Sequence, residues 1–403
     1  MTEGSSLLDR LERPWVAVGL CVAAYLPFVL LGYGTDIDVG NVLEAGRRWL
    51  DHGDYSVSRA PGAAIHEVST AFLDDVGGSV LVNLVSVLFA GVALWALQDL
   101  LRREGSPIAG LSVLVLATNP WFWIAATSLG DFVWALGLLL AGAATARRDH
   151  RLLGGVLFAL ATGCRLSTVF LVVAWLVAEQ LGDRSTRVPV RSTVITGVVA
   201  LSLGALCFVP PWLAADRTLD FLESTSGFAG MRVHFGRWAI KNVAFFGVLG
   251  SVVLAFGLPR LRRAWPSWRT STAFRFALLA FVATELVYFR FPFKPLHLIP
   301  AGMAVALLIG HFGTEARRWI GVLIAAQLIG GLVTTTLASP DVEDRASSGE
   351  IQLGLTTGPL LTDVQCRLDD RDDGPYENGT SEESIQRAAR NARCQLETWR
   401  ASP

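Results

Sequence analysis

The sequence predicts an all-α polytopic membrane protein, with about eleven transmembrane helices, interfacial helices in its first outer loop and a small extracytoplasmic C-terminal tail. Three observations lead there. Of the 403 residues 52% are hydrophobic and 17% charged, and the mean hydropathy is +0.45, which does not describe a soluble chain. Apolar runs of spanning length recur as far as about residue 340, and six clusters of arginine in the short loops fall on alternate connections between them.

A helix needs about 20 largely apolar residues to cross roughly 30 Å of hydrocarbon, because lipid offers no partner to a free backbone group. On that rule the spans fall at about 14–33, 79–100, 107–122, 129–146, 152–164, 166–181, 193–213, 239–258, 273–289, 296–312 and 319–338. The fifth and sixth are short and divide at Cys164-Arg165. Polar Met1 to Arg13 precede an apolar run with no small-residue cleavage site, so the first span reads as an uncleaved helix.

Orientation follows from arginine. Arg10 and Arg13, Arg102 and Arg103, Arg147 with Arg148 and Arg151, Arg184 with Arg187 and Arg191, Arg260 to Arg269, and Arg317 with Arg318 fall on alternate connections, which puts them and the N-terminus in the cytoplasm. The longer outer segments are then 34–78, 214–238 and the tail from Ser339. Residues 1–340 form the transmembrane domain and 341–403 an acidic tail. A net charge of −1 suggests no nucleic-acid partner. There is no internal repeat, and an odd span count argues against the inverted halves common in transporters.

The first outer loop opens on Gly34-Thr35-Asp36-Ile37-Asp38, two carboxylates fixed at the membrane surface by the end of a helix. Val39, Val42, Leu43, Gly46, Trp49 and Leu50 then recur at helical spacing, with Glu44, Arg47, Arg48 and Asp51 on other faces, a pattern suited to the interface plane. His52-Gly53-Asp54 breaks it, Tyr55 to Arg59 reads as extended, and Pro61-Gly62 opens a second short helix. Asp36, Asp38, Arg59, His66 and Glu67 are its polar equipment. Capping the helix is the bland role open to either aspartate; several acids beside Arg59 favour chemistry.

Ionisable groups at or within spans default to a functional hypothesis. Asp131 stands near the outer end of the fourth span, Arg165 between the fifth and sixth, and Glu285, Arg290, Lys294 and His297 around the ninth and tenth. Together they would make a cationic, partly desolvated pocket able to hold phosphate. The alternative is that they snorkel or pair internally, as Glu285 with Arg290. Six histidines and five cysteines show no ligand spacing, which leaves a divalent ion between Asp36 and Asp38 as the one metal position on offer.

In order and placement these features resemble the GT-C superfamily of membrane glycosyltransferases, of the protein-mannosyltransferase and aminoarabinose-transferase kind. The carrying residues are Asp36 and Asp38, Tyr55 to Gly62, Asn119-Pro120 with Asp131, Gly163-Cys164-Arg165-Leu166-Ser167, and Arg290 to Pro295 with Pro300. The resemblance covers residues 1–340 and is diffuse. It implies sugar transfer from a polyprenyl-phosphate donor to a lipid-linked or protein acceptor on the outer face, in the cell envelope, among membrane lipids. On it Asp36 is the general base, Asp38 its assistant, and Arg165, Arg290 and Lys294 the phosphate ligands, with Arg59 and His297 behind them. Nucleotide-sugar motifs are absent from the sequence, as such a donor requires. A transporter or flippase would use the same charges along a pathway, but predicts discontinuous central helices and charges near the midplane.

The tail from Ser339 holds 13 acidic and 7 basic residues, too polar to bury much core. Cys366 and Cys394 are its only cysteines and could pair on the outer face. Glu382 to Trp399 suits a helix, and Asn378-Gly379-Thr380 matches a glycosylation acceptor.

Overall fold

Apolar runs punctuated by glycine, proline and arginine-bearing turns become helices in the computed structural model, which describes residues 7–13, 15–36, 38–218, 231–336, 354–369 and 394. The Asn378 acceptor and the helix expected over 382–399 lie outside the described residues, apart from Cys394.

In chain order the elements are α1 (Val16–Tyr25), α2 (Asp38–His52), α3 (Ala64–Arg103), α4 (Ala109–Ala117), α5 (Pro120–Ala126), α6 (Asp131–Ala146), α7 (Arg151–Cys164) and α8 (Thr168–Gln180). Then come α9 (Val190–Leu206), α10 (Val209–Ala214), α11 (Met231–Phe246), α12 (Val248–Ala264), α13 (Thr272–Arg290), α14 (Ile299–Ile309), α15 (Arg317–Leu332), β1 (Val333–Thr336), β2 (Gly354–Thr357) and α16 (Pro359–Asp369). Each expected span contains a helix, but several are not single rods. The third bends by 77° between α4 and α5, where Pro120 lacks the N–H that would continue the ladder and Asn119 Oδ1 accepts from Trp121 N and Phe122 N instead. The eighth bends by 92° at Gly247, whose φ of 71° glycine adopts without strain. The eleventh ends at Leu332 and continues as β1, paired antiparallel with β2 in the register Val333 to Thr357.

Among the described residues three helical segments (Ala64–Arg103, Val190–Ala214 and Thr272–Arg290) are long and apolar enough to cross a bilayer alone, and up to five if each bent pair counts as one span. Their outer surfaces remain apolar. Leu88, Val198, Phe256 and Leu286 are each more than half exposed, and such a band finds its cover in lipid rather than water. The chain is a membrane protein.

The bundle has two chemically distinct ends. At one, the arginine-bearing connections meet: Glu12 accepts from Gly110 N (2.7 Å), Asp9 pairs with Arg317 (3.2 Å), Asp99 with Arg103 and Arg148, Ser271 donates to Glu104, and Asp183 N bonds Arg269 O (3.0 Å). The other end gathers Thr35, Asp36, Asp38, Arg59, Asp131, Arg165 and Lys294. The alternation of arginine along the sequence is thus a real sorting in space.

The first loop is built as two helices in close contact. The first part of α3 is separated from its spanning part by Gly77-Gly78, both with non-helical backbone, so it can lie against α2. Gly46 of α2 allows that approach: a Cβ there would stand 2.2 Å from Glu67 O. Arg47 adds ion pairs to Asp74 and Asp75, each at 3.0 Å. Gly46→Val is therefore expected to cost about 1–3 kcal/mol of stability, read as a lowered thermal midpoint in detergent, while Gly321→Ala, with open space around its helical glycine, leaves the midpoint at or slightly above wild type.

Candidate active site

Two stretches distant in sequence run side by side at this end. Leu129 N donates to Tyr33 O (2.9 Å), tying the exit of the first span to the entrance of α6, and Asp36 and Asp131 follow shortly after on each. The approach requires Gly34: its φ is +106°, and a Cβ would fall 2.5 Å from Ser128 Cβ. Asp36 Oδ1 accepts from Asp38 N (2.9 Å), so it does act as a local helix cap as well.

Around this junction the charges form one chain. Lys294 Nζ donates to Asp36 Oδ1 (2.6 Å) and Asp38 Oδ2 (2.8 Å), Arg59 reaches both Asp38 (2.6 Å) and Asp131 (2.6 Å), and Arg165 donates to both oxygens of Asp131 (2.9 and 3.0 Å). Three carboxylates face three cations. Asp131 is only 2% exposed, whereas Asp38, Arg59 and Lys294 each keep about a quarter of their side-chain surface open. Burial alone would push the Asp38 carboxyl up, but Arg59 and Lys294 outweigh it and hold it below the usual carboxylate range.

The remaining expected residues divide. Glu67 is a structural anchor: it accepts from the hydroxyls of Tyr55 and Ser58 and from Ser58 N (3.2 Å), which fixes the extended segment that presents Arg59. His66 is buried with its ring edge-on to Trp134 (5.1 Å), and among the described residues neither ring nitrogen has a hydrogen-bond partner. His297 lies between Phe132 (5.4 Å) and Tyr288 (6.4 Å), and Phe132 in turn sits under the Arg165 guanidinium (4.0 Å). Arg290 is exposed over the ring of Phe291 and joins no ion pair with this network among the described residues. Glu285, offered above as its partner, instead accepts from Trp238 Nε1 (2.7 Å) and Asn242 (3.1 Å).

An apolar groove runs between α6, α8 and α13, walled by residues such as Leu136, Phe170 and Val287, with Arg165 and His297 at its polar head. The position between Asp36 and Asp38, considered above for a divalent ion, is filled by the Lys294 ammonium, and a metal would have to displace it. No group of three or more ligating side chains occurs among the described residues.

Other partners escaped sequence reasoning. Asp363 and Arg367 of α16 reach this end, with Asp363 Oδ1 accepting from the Thr35 hydroxyl (2.7 Å). Their i, i+4 spacing was visible, but in an acidic stretch it reads as a solvated face. Cys366, on the same helix, is joined to Cys394 with the Cα atoms 5.6 Å apart.

The fold so described is GT-C-like. It matches, over 96% of this chain and 75% of the other, two crystal structures of ArnT from Cupriavidus metallidurans, one bound to undecaprenyl phosphate (TM-score 0.56, 17% identity) and one in the apo state (TM-score 0.54, 14% identity). No protein-family model matches the chain, and no curated protein matches it in sequence.

Two outcomes test the network. Arg59→Ala strips one partner from each of two buried or half-buried carboxylates and should cost about 3 kcal/mol in thermal or denaturant unfolding. Because the folded Asp38 is held below its unfolded value, its contribution is complete above a pH of about 4 and is lost as pH falls through the lowered folded value. The acid-side drop in thermal midpoint should accordingly be smaller in Asp38→Asn than in wild type.

Proposed function

We propose that the protein is an integral membrane glycosyltransferase that moves a sugar from a polyprenyl-phosphate donor to a lipid-linked glycan, glycolipid or protein acceptor on the extracytoplasmic face. The observation that carries this reading is Lys294 bridging Asp36 and Asp38 beside an apolar groove headed by Arg165. The orientation that goes with it, eleven spans with a cytoplasmic N-terminus and the 341–403 tail outside, rests on the arginine pattern. The ArnT structure crystallised with undecaprenyl phosphate supports a lipid of that kind in a fold of this kind.

The chemistry is a displacement at the anomeric carbon. The acceptor oxygen forms the new glycosidic bond, the bond to phosphate breaks, and the acceptor proton passes to Asp36. With one base and an in-line leaving group the configuration inverts. While Lys294 occupies Asp36, that carboxylate has a proton donor against it rather than an acceptor hydroxyl. A donor phosphate that draws the ammonium toward itself would free Asp36 at the moment the substrate arrives. Asp38 keeps Lys294 and Arg59 within reach meanwhile. As the phosphate departs it gains one negative charge and Asp36 loses one, so the total charge held by Arg59, Arg165 and Lys294 does not change in the step. The groove would take the first isoprene units, and exposed Arg290 stands at the rim rather than at the reacting centre.

A transporter or flippase is favoured by one observation, the two sharply bent helix pairs. Against it, the charged groups gather at the two ends of the bundle instead of along a central path.

Protein in vesicles, given a labelled synthetic polyprenyl-phosphate sugar and a membrane acceptor fraction, should transfer label. Asp36→Asn should lower turnover by about 10²-fold or more with expression intact, and near-normal turnover in that variant removes Asp36 as the base. Arg165→Ala should raise donor KM more than acceptor KM and more than Arg290→Ala does; movement of unreacted donor between leaflets without transfer would favour the flippase.

A further inference from the structure

Asp363 and Arg367 stand one turn apart on α16, both fully buried, in a tail otherwise rich in charge. Removing such a pair from water costs more than its own attraction recovers unless further hydrogen bonds complete it. The further bonds that form go to the two segments that carry the candidate acids, while Arg367 Nη2 has no hydrogen-bond partner among the described residues. Arg367 Nη1 donates to Thr127 O (3.1 Å), the carbonyl that ends α5, and to Phe28 O (3.4 Å) in the 3-10 turn Leu26–Leu31. A guanidinium there meets the negative end of a helix. Asp363 accepts from the Thr35 hydroxyl (2.7 Å) and from the Thr35 backbone, and Thr35 directly precedes Asp36. Gly34 packs so closely that a Cβ on it would lie 3.2 Å from Arg367 Nη2. Since Leu129 N bonds Tyr33 O, both strands of the junction are pinned from one side by the same two side chains.

We propose that α16 is a clamp on the reaction centre, with Asp363 and Arg367 as positioning residues that fix, through Thr35, Gly34 and Thr127, the backbone from which Asp36 and Asp131 project. The Cys366–Cys394 bond fastens the clamp itself. Neither residue touches substrate. Their effect is on where the base stands, so they govern turnover and leave donor binding, set by Arg165 and the groove, largely untouched. This inference rests on the transferase reading for its kinetic consequence and on geometry alone for its structural one.

The test uses the full chain in vesicles. Thr35→Val deletes the hydroxyl held by Asp363 while leaving the buried ion pair whole, and should lower kcat about 10-fold with donor KM within about twofold, because small displacements of a reacting group cost rate rather than affinity. Thr35→Ser should restore most of the loss, which a purely structural role does not require. Independently of activity, hydrogen exchange across 33–38 and 127–131 should rise several-fold in Arg367→Gln, and in wild type after reduction of the disulfide, with 248–264 unchanged. Should Arg367→Gln fail to fold, Thr35→Val still decides. A wild type that transfers sugar, with Thr35→Val at wild-type kcat and unaltered exchange, overturns the clamp and leaves the transferase reading intact. A wild type that transfers nothing, with exchange rising as stated, sinks the transferase reading and supports the clamp.

Discussion

Lys294 holds two carboxylates of the first outer loop from a turn more than 250 residues further along the chain, and much of the geometry at this end exists to keep that meeting in place. An ammonium at 2.6 and 2.8 Å from Asp36 and Asp38 is a strong interaction in a half-buried setting, but it exists only if two distant pieces of backbone arrive together. The exit of the first span supplies Asp36, the start of α2 supplies Asp38, and the turn after α13 supplies the lysine. Arg59 extends the chain of charges to Asp131, and Arg165 closes it. Each cation has at least one acid and each acid at least one cation, so no charge of the network stands without an opposite one.

What surrounds the network is arranged around that need. Glu67 holds Tyr55 and Ser58 so that Arg59 points inward, while Gly46 lets α2 lie against the helix that carries Glu67. Phe132 lies beneath the Arg165 guanidinium and beside His297, so the polar centre passes directly into the apolar groove. On the proposed reading, a lipid phosphate is the ligand whose two halves suit those two surfaces. On the proposed reading the same balance serves the reaction, since cations that neutralise three aspartates at rest are the ones able to follow charge onto a leaving phosphate.

The opposite end of the bundle offers a useful contrast. There Glu104 binds Ser271, Ala273 N and His311, and Arg275 spends its guanidinium on the carbonyls of Ala178, Trp268 and Arg269. Those groups tie helix ends to one another. Buried charge alone therefore does not mark the site in this molecule. The mark is buried charge that remains partly open and stands beside an apolar groove.

By itself the sequence determined the membrane class, the position of a helix in every expected span, the gathering of the short-loop arginine clusters at one end, and the identity of the network: Asp36, Asp38, Arg59, Asp131, Arg165 and Lys294 were all legible. Composition and hydrophobic runs are local properties, and a charge placed in or beside an apolar segment is conspicuous because it is costly there. Only the tertiary structure decided who pairs with whom. It showed that Glu67 anchors a loop, that Arg290 stays outside, that Lys294 fills the place considered for a metal, and that two spans bend sharply at Asn119-Pro120 and Gly247. It also seated the helix of Asp363 and Arg367 against the junction, where sequence suggested a solvated tail. The reason is common to all of these: a hydrogen bond between residues hundreds of positions apart is fixed by how helices pack, and packing leaves no periodic trace in the chain.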